Sequence, residues 1–188
     1  MRILGGRLRG RTVRAPKGQK TRPVLARIRE AYFNILADRI RDARIADLFA
    51  GSGAIGLEAL SRGARSADFY ESGAALKTLT RNIADLQVQS ESAVHRRPLP
   101  SALDPGPAWD LVFVDPPWTE DLGPSTLAAL LRSGRVQPES LIFLRERHGQ
   151  QGTEGEWAER GYAITDQRQY GDSVVLIMQT LLNETVSG

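Results

Sequence analysis

The chain has 188 residues, 41% hydrophobic and 25% charged with a net charge of +3, which suits one globular domain with a small appendage and excludes a disordered chain. No run approaches the ~18 consecutive apolar residues of a membrane span, and the start Met1-Arg2-Ile3-Leu4-Gly5-Gly6 has no apolar signal core, so a cytoplasmic protein is expected. Cysteine is absent and the only histidines are His95 and His148, which excludes disulfides, thiol nucleophiles and thiolate metal sites and argues against bound metal.

The small net charge conceals an asymmetry. Residues 1–44 hold 13 Lys/Arg and 3 acids, about +10, whereas the rest holds 12 basic and 19 acidic residues, about −7. A basic arm on an acidic body suggests a docking surface for a polyanion such as RNA, with Arg7, Arg9, Arg11 and Arg22 as its candidate contacts. Within residues 1–22, Gly5-Gly6, Gly10, Pro16 and Gly18 punctuate two short β segments, Arg2–Leu4 and Arg11–Ala15, that suit a hairpin. Arg22-Pro23 then opens a helix with proline at its first position. Leu25, Ile28, Tyr32, Ile35 and Leu36 carry its apolar face to about Asp38, leaving Arg27 and Arg29 to face RNA.

From Arg44 strands and helices alternate, which predicts a parallel sheet. The strands are Arg44–Leu48, Ser66–Glu71, Ala93–Arg96, Asp110–Val114 and Leu141–Leu144. The helices between them are Ala54–Arg62, Ala74–Leu86 and Pro124–Ser133, with a short one over Glu154–Arg160. Ala163–Tyr170 and Ser173–Thr180 flank Gly171-Asp172 as a closing β-hairpin, and the tail 183–188 is expected to fray. The domain reading is a basic extension over 1–43, an α/β domain over 44–182 and a tail.

Two motifs lie at strand ends. In Asp47-Leu48-Phe49-Ala50-Gly51-Ser52-Gly53-Ala54-Ile55-Gly56, the glycines 51, 53 and 56 satisfy G-x-G-x-x-G between a strand and a helix. Such a turn lets backbone approach a ligand closely, but it serves NAD, FAD and S-adenosylmethionine alike. Glu71 ends the next strand 20 residues after Gly51, where a carboxylate can accept both hydroxyls of a ribose. Asp47 suits the amino group of a methionine moiety and would repel a pyrophosphate. The second motif is Asp115-Pro116-Pro117-Trp118 after the apolar run Leu111–Val114. A carboxylate and a backbone carbonyl there can accept the N–H bonds of a planar amine while the ring stacks on its base.

With these residues in hand, the chain resembles the RsmD family, the 16S rRNA guanine-N2 methyltransferases of bacteria. The resemblance rests on Arg2–Gly6, Leu8–Arg11, Thr21-Arg22-Pro23, Arg29-Glu30-Ala31, Phe33–Leu36, Asp47–Gly56, Glu58–Ala64, Glu71, Asn82, Asp115-Pro116-Pro117 and Tyr170-Gly171-Asp172. It implies a Rossmann-like α/β fold: a seven-stranded, mostly parallel sheet with helices on both faces, the last two strands forming a hairpin. It also implies S-adenosylmethionine as donor and guanine 966 of 16S rRNA, in the small ribosomal subunit, as target; a monomer is expected. Carried over by position, Asp47, Phe49, Ala50, Gly51, Ser52, Gly53 and Asn34 would line the cofactor site, and Glu71 would hold its ribose. Asp115, Pro116, Pro117 and Trp118 would grip the flipped base, whose nitrogen, becoming cationic as it takes the methyl, Asp115 stabilises. The chain departs from the family at Arg96-Arg97-Pro98, where a small or acidic residue is usual, and at Val24 and Ala26. Rival readings are a DNA adenine-N6 or cytosine-N4 methyltransferase, an NAD-dependent oxidoreductase and a non-catalytic RNA-binding module. The first lacks room for a target-recognition domain and the second an obvious Tyr–Lys relay; the third leaves Glu71 and Asp115 together unexplained.

Overall fold

Leu111-Val112-Phe113-Val114 is buried at every position, as expected of a strand covered on both faces. The computed structural model describes residues 1–16, 23–118 and 120–181, and for 23–25 the backbone alone. The N-terminal segment leads into α1 (Pro23–Leu36). Then come β1 (Arg44–Leu48), α2 (Ala54–Ser61), β2 (Ser66–Tyr70), α3 (Leu76–Leu86), β3 (Ser92–His95), β4 (Leu111–Val114), α4 (Leu122–Arg132), β5 (Leu141–Arg147), α5 (Glu154–Glu159), β6 (Tyr162–Tyr170) and β7 (Ser173–Thr180). The strands form one seven-stranded sheet in the order β3-β2-β1-β4-β5-β7-β6, with β1 to β5 parallel and β7 antiparallel to both its neighbours. The parallel strands are those expected from the alternating pattern, and the whole is the Rossmann-like methyltransferase architecture that the family resemblance implied.

Strand side chains alternate between faces, so the sheet carries two apolar layers. Ile45, Phe69, Phe113 and Phe143 meet Tyr32, Phe33 and Leu36 of α1, Leu57 and Leu60 of α2 and Leu79 and Ile83 of α3. On the other face, Leu48, Val112, Val114, Ile142 and Leu144 meet Leu127 and Leu130 of α4 and Trp157 of α5. Ile3, Leu8 and Val13 of the basic arm are buried in the first layer, so residues 1–16 share the domain's core. The expected hairpin exists in minimal form: Arg2 and Thr12 make one antiparallel bridge, and the Ile3 N–H donates to the Arg11 carbonyl at 3.0 Å.

Two element boundaries differ from expectation in a way that bears on the site. β5 runs past its apolar stretch to Arg147, because β7 pairs with it through Arg145–Val175, Glu146–Val174 and Arg147–Ser173. Hydrogen bonding to a neighbour thus holds charged residues in a strand that periodicity ends at Leu144. α4 begins two residues early, at Leu122, after Asp121 in a left-handed conformation. Arg22 and the tail 183–188 lie outside the described residues.

Candidate active site

β1 is the strand at which the order reverses, with β2 on one side and β4 on the other. Crevices at the carboxyl ends of such strands are where open α/β sheets bind ligands. Register levels the chemistry there: Leu48 pairs with Tyr70 of β2 and with Val114 of β4. The next residues along the three strands are Phe49, Glu71 and Asp115. They open onto one cavity of about 690 Å³, lined also by Asp47, Ala50, Gly51, Ser52, Tyr70, Pro116 and Pro117.

Asp47 forms the floor. It is 2% exposed, and its Oδ2 accepts the Gly56 N–H at 2.9 Å. Burial pushes its carboxyl up to about 7, assisted by Asp115 and Glu71 and opposed by the Gly56 N–H. Phe49 follows at φ +62, a conformation costly for a residue with a Cβ, and it turns the chain into the glycine loop. Gly51 has φ +55, and a Cβ placed on it meets nothing within 4 Å. The backbone there faces open space, as a close-approaching ligand requires. Glu71 stands beside it, its Oε2 accepting the Gly51 N–H at 2.9 Å and its Oε1 the Gly73 N–H at 2.6 Å. Each oxygen keeps a lone pair for a further donor.

The glycines do different jobs. Gly53 does not line the cavity, contrary to its assignment to the cofactor: a Cβ there would meet Leu79 Cδ1 at 2.5 Å. Gly56 likewise lets α2 close on Phe69, whose ring lies 2.4 Å from the position a Cβ would take. Asn34 is also misplaced by sequence reasoning. It is exposed on α1 and outside the cavity, which that helix lines with Ala26, Ile28, Arg29 and Tyr32. At 100° per residue Asn34 lies 200° round the helix from Tyr32. Arg29, expected to face RNA, is 5% exposed and donates to the Arg2 carbonyl at 2.8 Å.

At the far side of the cavity, Asp115 meets a residue that sequence reasoning missed. Arg145 Nε donates to Asp115 Oδ1 at 2.6 Å, its Nη2 contacts the same oxygen, and its Nη1 donates to Ser173 Oγ at 3.3 Å. Asp115 Oδ2 makes no hydrogen bond among the described residues. Burial pushes the Asp115 carboxyl up, and the Arg145 guanidinium pulls against it. The only sequence signal was the charged continuation Arg145-Glu146-Arg147 of an apolar strand. Trp118 does not line the main cavity. Its ring lies 4.8 Å from Arg145 Cζ, and it borders a second cavity of about 380 Å³ that shares Pro116 and Pro117 with the first.

The Arg96-Arg97-Pro98 departure resolves in two ways. Arg97, Pro98 and Leu99 line the main cavity. His95 stacks on Tyr70 at 4.2 Å and 8° and lies 3.2 Å from Asp68, so it braces the β2–β3 edge. In the arm, Arg7 pairs with Glu91, Arg11 donates to the Asp85 carbonyl at 2.8 Å, and Arg9 is exposed. Among the described residues no group of three or more His, Asp or Glu could hold a metal, and no helix is long and apolar enough to cross a membrane.

Comparison with known proteins agrees with this geometry. The family model described as Conserved hypothetical protein 95 matches residues 1–179. Ribosomal RNA small subunit methyltransferase D of Escherichia coli (strain K12) is 39% identical over 145 residues, covering 77% of this chain and 73% of that protein. The protein of the same name from Haemophilus influenzae is 33% identical over 149 residues, covering 77% of each. The solved structure of Escherichia coli yhhF superposes with a TM-score of 0.83 at 33% identity, over 96% of this chain and 98% of that one. By sequence over nearly its whole length, and by fold, this chain belongs to the RsmD family of methyltransferases.

Proposed function

We propose that this protein methylates the exocyclic N2 of a guanine in 16S rRNA, the resemblance pointing to guanine 966, with S-adenosylmethionine as donor. The observation that carries the reading is one cavity that brings together a buried carboxylate, a strand-end carboxylate beside an open glycine backbone, and Asp115-Pro116-Pro117. The relatives named small subunit rRNA methyltransferases support the RNA class. S-adenosylmethionine suits the residues present: its ammonium answers buried Asp47, its ribose hydroxyls answer Glu71, and Gly51 leaves room for close approach. When bound, it supplies a methyl group on a sulfonium that leaves as a neutral thioether.

The chain's own residues do the rest. The guanine amine donates to Asp115 Oδ2 and to the Pro116 carbonyl, which fixes the direction of the nitrogen. Arg145 holds Oδ1, so the carboxylate cannot rotate away. As the nitrogen gains positive charge, ionised Asp115 stabilises it in a site of reduced solvent access. The amine proton then leaves, to Asp115 and on to water. The base reaches this position by leaving its stack.

The test is methyl transfer from labelled S-adenosylmethionine to small ribosomal subunits that lack native modification, with duplex DNA beside them. Digested product is read by nucleoside mass spectrometry. N2-methylguanosine is the expected product; N6-methyladenine or N4-methylcytosine from DNA would overturn the reading.

A further inference from the structure

The second cavity borders the Asp115 motif but has no part in the mechanism so far. Pro116, Pro117, Trp118, Leu122 and Gly123 supply its walls, and its polar groups are Glu146, Asp121 and Gln150, of which Glu146 lies on the strand beside the Asp115 motif. The fold dictates that placement. The β4–β5 register ends at Val114–Leu144, and one step on, Asp115 meets Arg145. A second step sets Glu146 beside Pro116, on the opposite face of β5 from Arg145. Adjacent strands lie about 4.8 Å apart, so the Glu146 backbone runs beside Pro116, and both residues line the second cavity.

Glu146 is half-buried against the start of α4. A Cβ on Gly123 would fall 2.2 Å from its Oε1, so the carboxylate end packs against the start of α4 and would have to swing aside for a larger residue there. Its carboxylate accepts no hydrogen bond among the described residues. Burial, with Asp121 nearby, pushes its carboxyl up to about 7, the state of a carboxylate short of donors.

We propose that Glu146 is the residue that selects guanine, accepting the N1–H of the flipped base in this second cavity while Asp115 and Pro116 hold its N2. This rests on the guanine-N2 reading. Guanine N1–H lies beside the 2-amino group on the same edge, whereas adenine N1 and cytosine N3 are acceptors that would face the carboxylate unpaired. Rejection of a partner that leaves a buried polar group unsatisfied is far stronger than rejection by shape.

The experiment uses 16S rRNA assembled by splinted ligation with guanine or 2-aminopurine at the modified position, then reconstituted into small subunits. 2-Aminopurine keeps the 2-amino group but carries an acceptor at N1. Single-turnover methyl transfer is measured for the natural protein and for Glu146→Gln, with S-adenosylmethionine affinity as the control for folding. The natural protein is expected to prefer guanine by about 100-fold or more. Glu146→Gln, whose amide can donate to an N1 acceptor, is expected to lose at least about 10-fold on guanine and to gain on 2-aminopurine. Natural protein that methylates both bases equally would overturn the inference without recourse to any variant. So would a Glu146→Gln variant whose rates and ratio are unchanged, and in both cases the guanine-N2 reading would stand. Absence of any N2-methylated product from the guanine subunits would instead remove that reading, and this inference with it.

Discussion

Asp47 and Asp115 are both carboxylates at strand ends, and the structure prepares them differently. Asp47 is buried with one backbone N–H and, among the described residues, no cation, which pushes its carboxyl up to about 7. A bound ammonium favours its ionised form, so cofactor affinity is expected to fall as pH drops below about 7 and to level off above it. Asp47→Asn should weaken binding at least tenfold at pH 8 and flatten that dependence, as read by isothermal titration calorimetry across pH. The same substitution should stabilise the cofactor-free protein. A carboxyl whose folded value exceeds its unfolded value of 3.8 favours the fold below the unfolded value, and that contribution is lost as pH rises through about 7. Thermal denaturation at pH 8 should therefore show a higher Tm for Asp47→Asn. Asp115 differs in having Arg145 to hold it ionised. Arg145→Met should move the acidic limb of the pH–kcat profile to higher pH, and Arg145→Lys should restore part of it. A Met variant with an unmoved limb would deny Arg145 this positioning role. Asp115→Ala should abolish turnover while cofactor affinity stays within a few fold, by single-turnover assay and calorimetry.

At the scale of elements, the parallel register makes one site of three strands, and a single buried acid ties the basic arm to them. Glu58 of α2 is fully buried; its Oε2 accepts the Leu4 N–H at 2.7 Å and its Oε1 the Gly5 N–H at 2.8 Å. Arg62, one turn on, donates to Oε1 at 2.9 Å and packs over Phe33. The arm thus docks by hydrogen bonds to a charge as well as by Ile3, Leu8 and Val13. Glu58→Ala removes the acceptor of two amides and of the partly exposed Arg62 guanidinium, and each hydrogen bond to a charged group is worth about 1.5–3 kcal/mol. Chemical denaturation should show that loss, and hydrogen exchange should speed at Leu4 and Gly5. Normal exchange at these amides would mean that the arm's other contacts hold it without Glu58.

Over the whole molecule, charge is divided between a basic N-terminal quarter and an acidic remainder, and part of the arm's charge is already paired. Arg7 pairs with Glu91 and Arg14 with Asp85, while Arg9 is exposed and Arg11 spends one donor on a carbonyl and keeps its charge. Reversing Arg9 and Arg11 to Glu should therefore weaken RNA binding and lower the slope of log affinity against log salt by about 2, near one per lost phosphate contact. An unchanged slope would remove these two from the RNA surface. Arg7→Glu should cost more in stability than Arg9→Glu, since it sets two carboxylates together.

Local chemistry and periodicity determined a good deal about this protein. The strand–helix alternation, the glycine turn, Asp47, Glu71 and Asp115-Pro116-Pro117 are all legible, because side-chain period and turn residues act over a few positions. Proximity across strands is not a local property. Arg145 touches Asp115 only because β5 lies beside β4, and β7 holds its charged end in the sheet. Gly53 and Asn34 bear family motifs, yet one packs under Leu79 and the other faces away from the cavity, matters of tertiary contact and helix rotation. Arg29 reads as a surface cation until the arm folds over it. The tertiary structure alone decided which charges meet, because pairing, burial and desolvation belong to residues far apart in the chain.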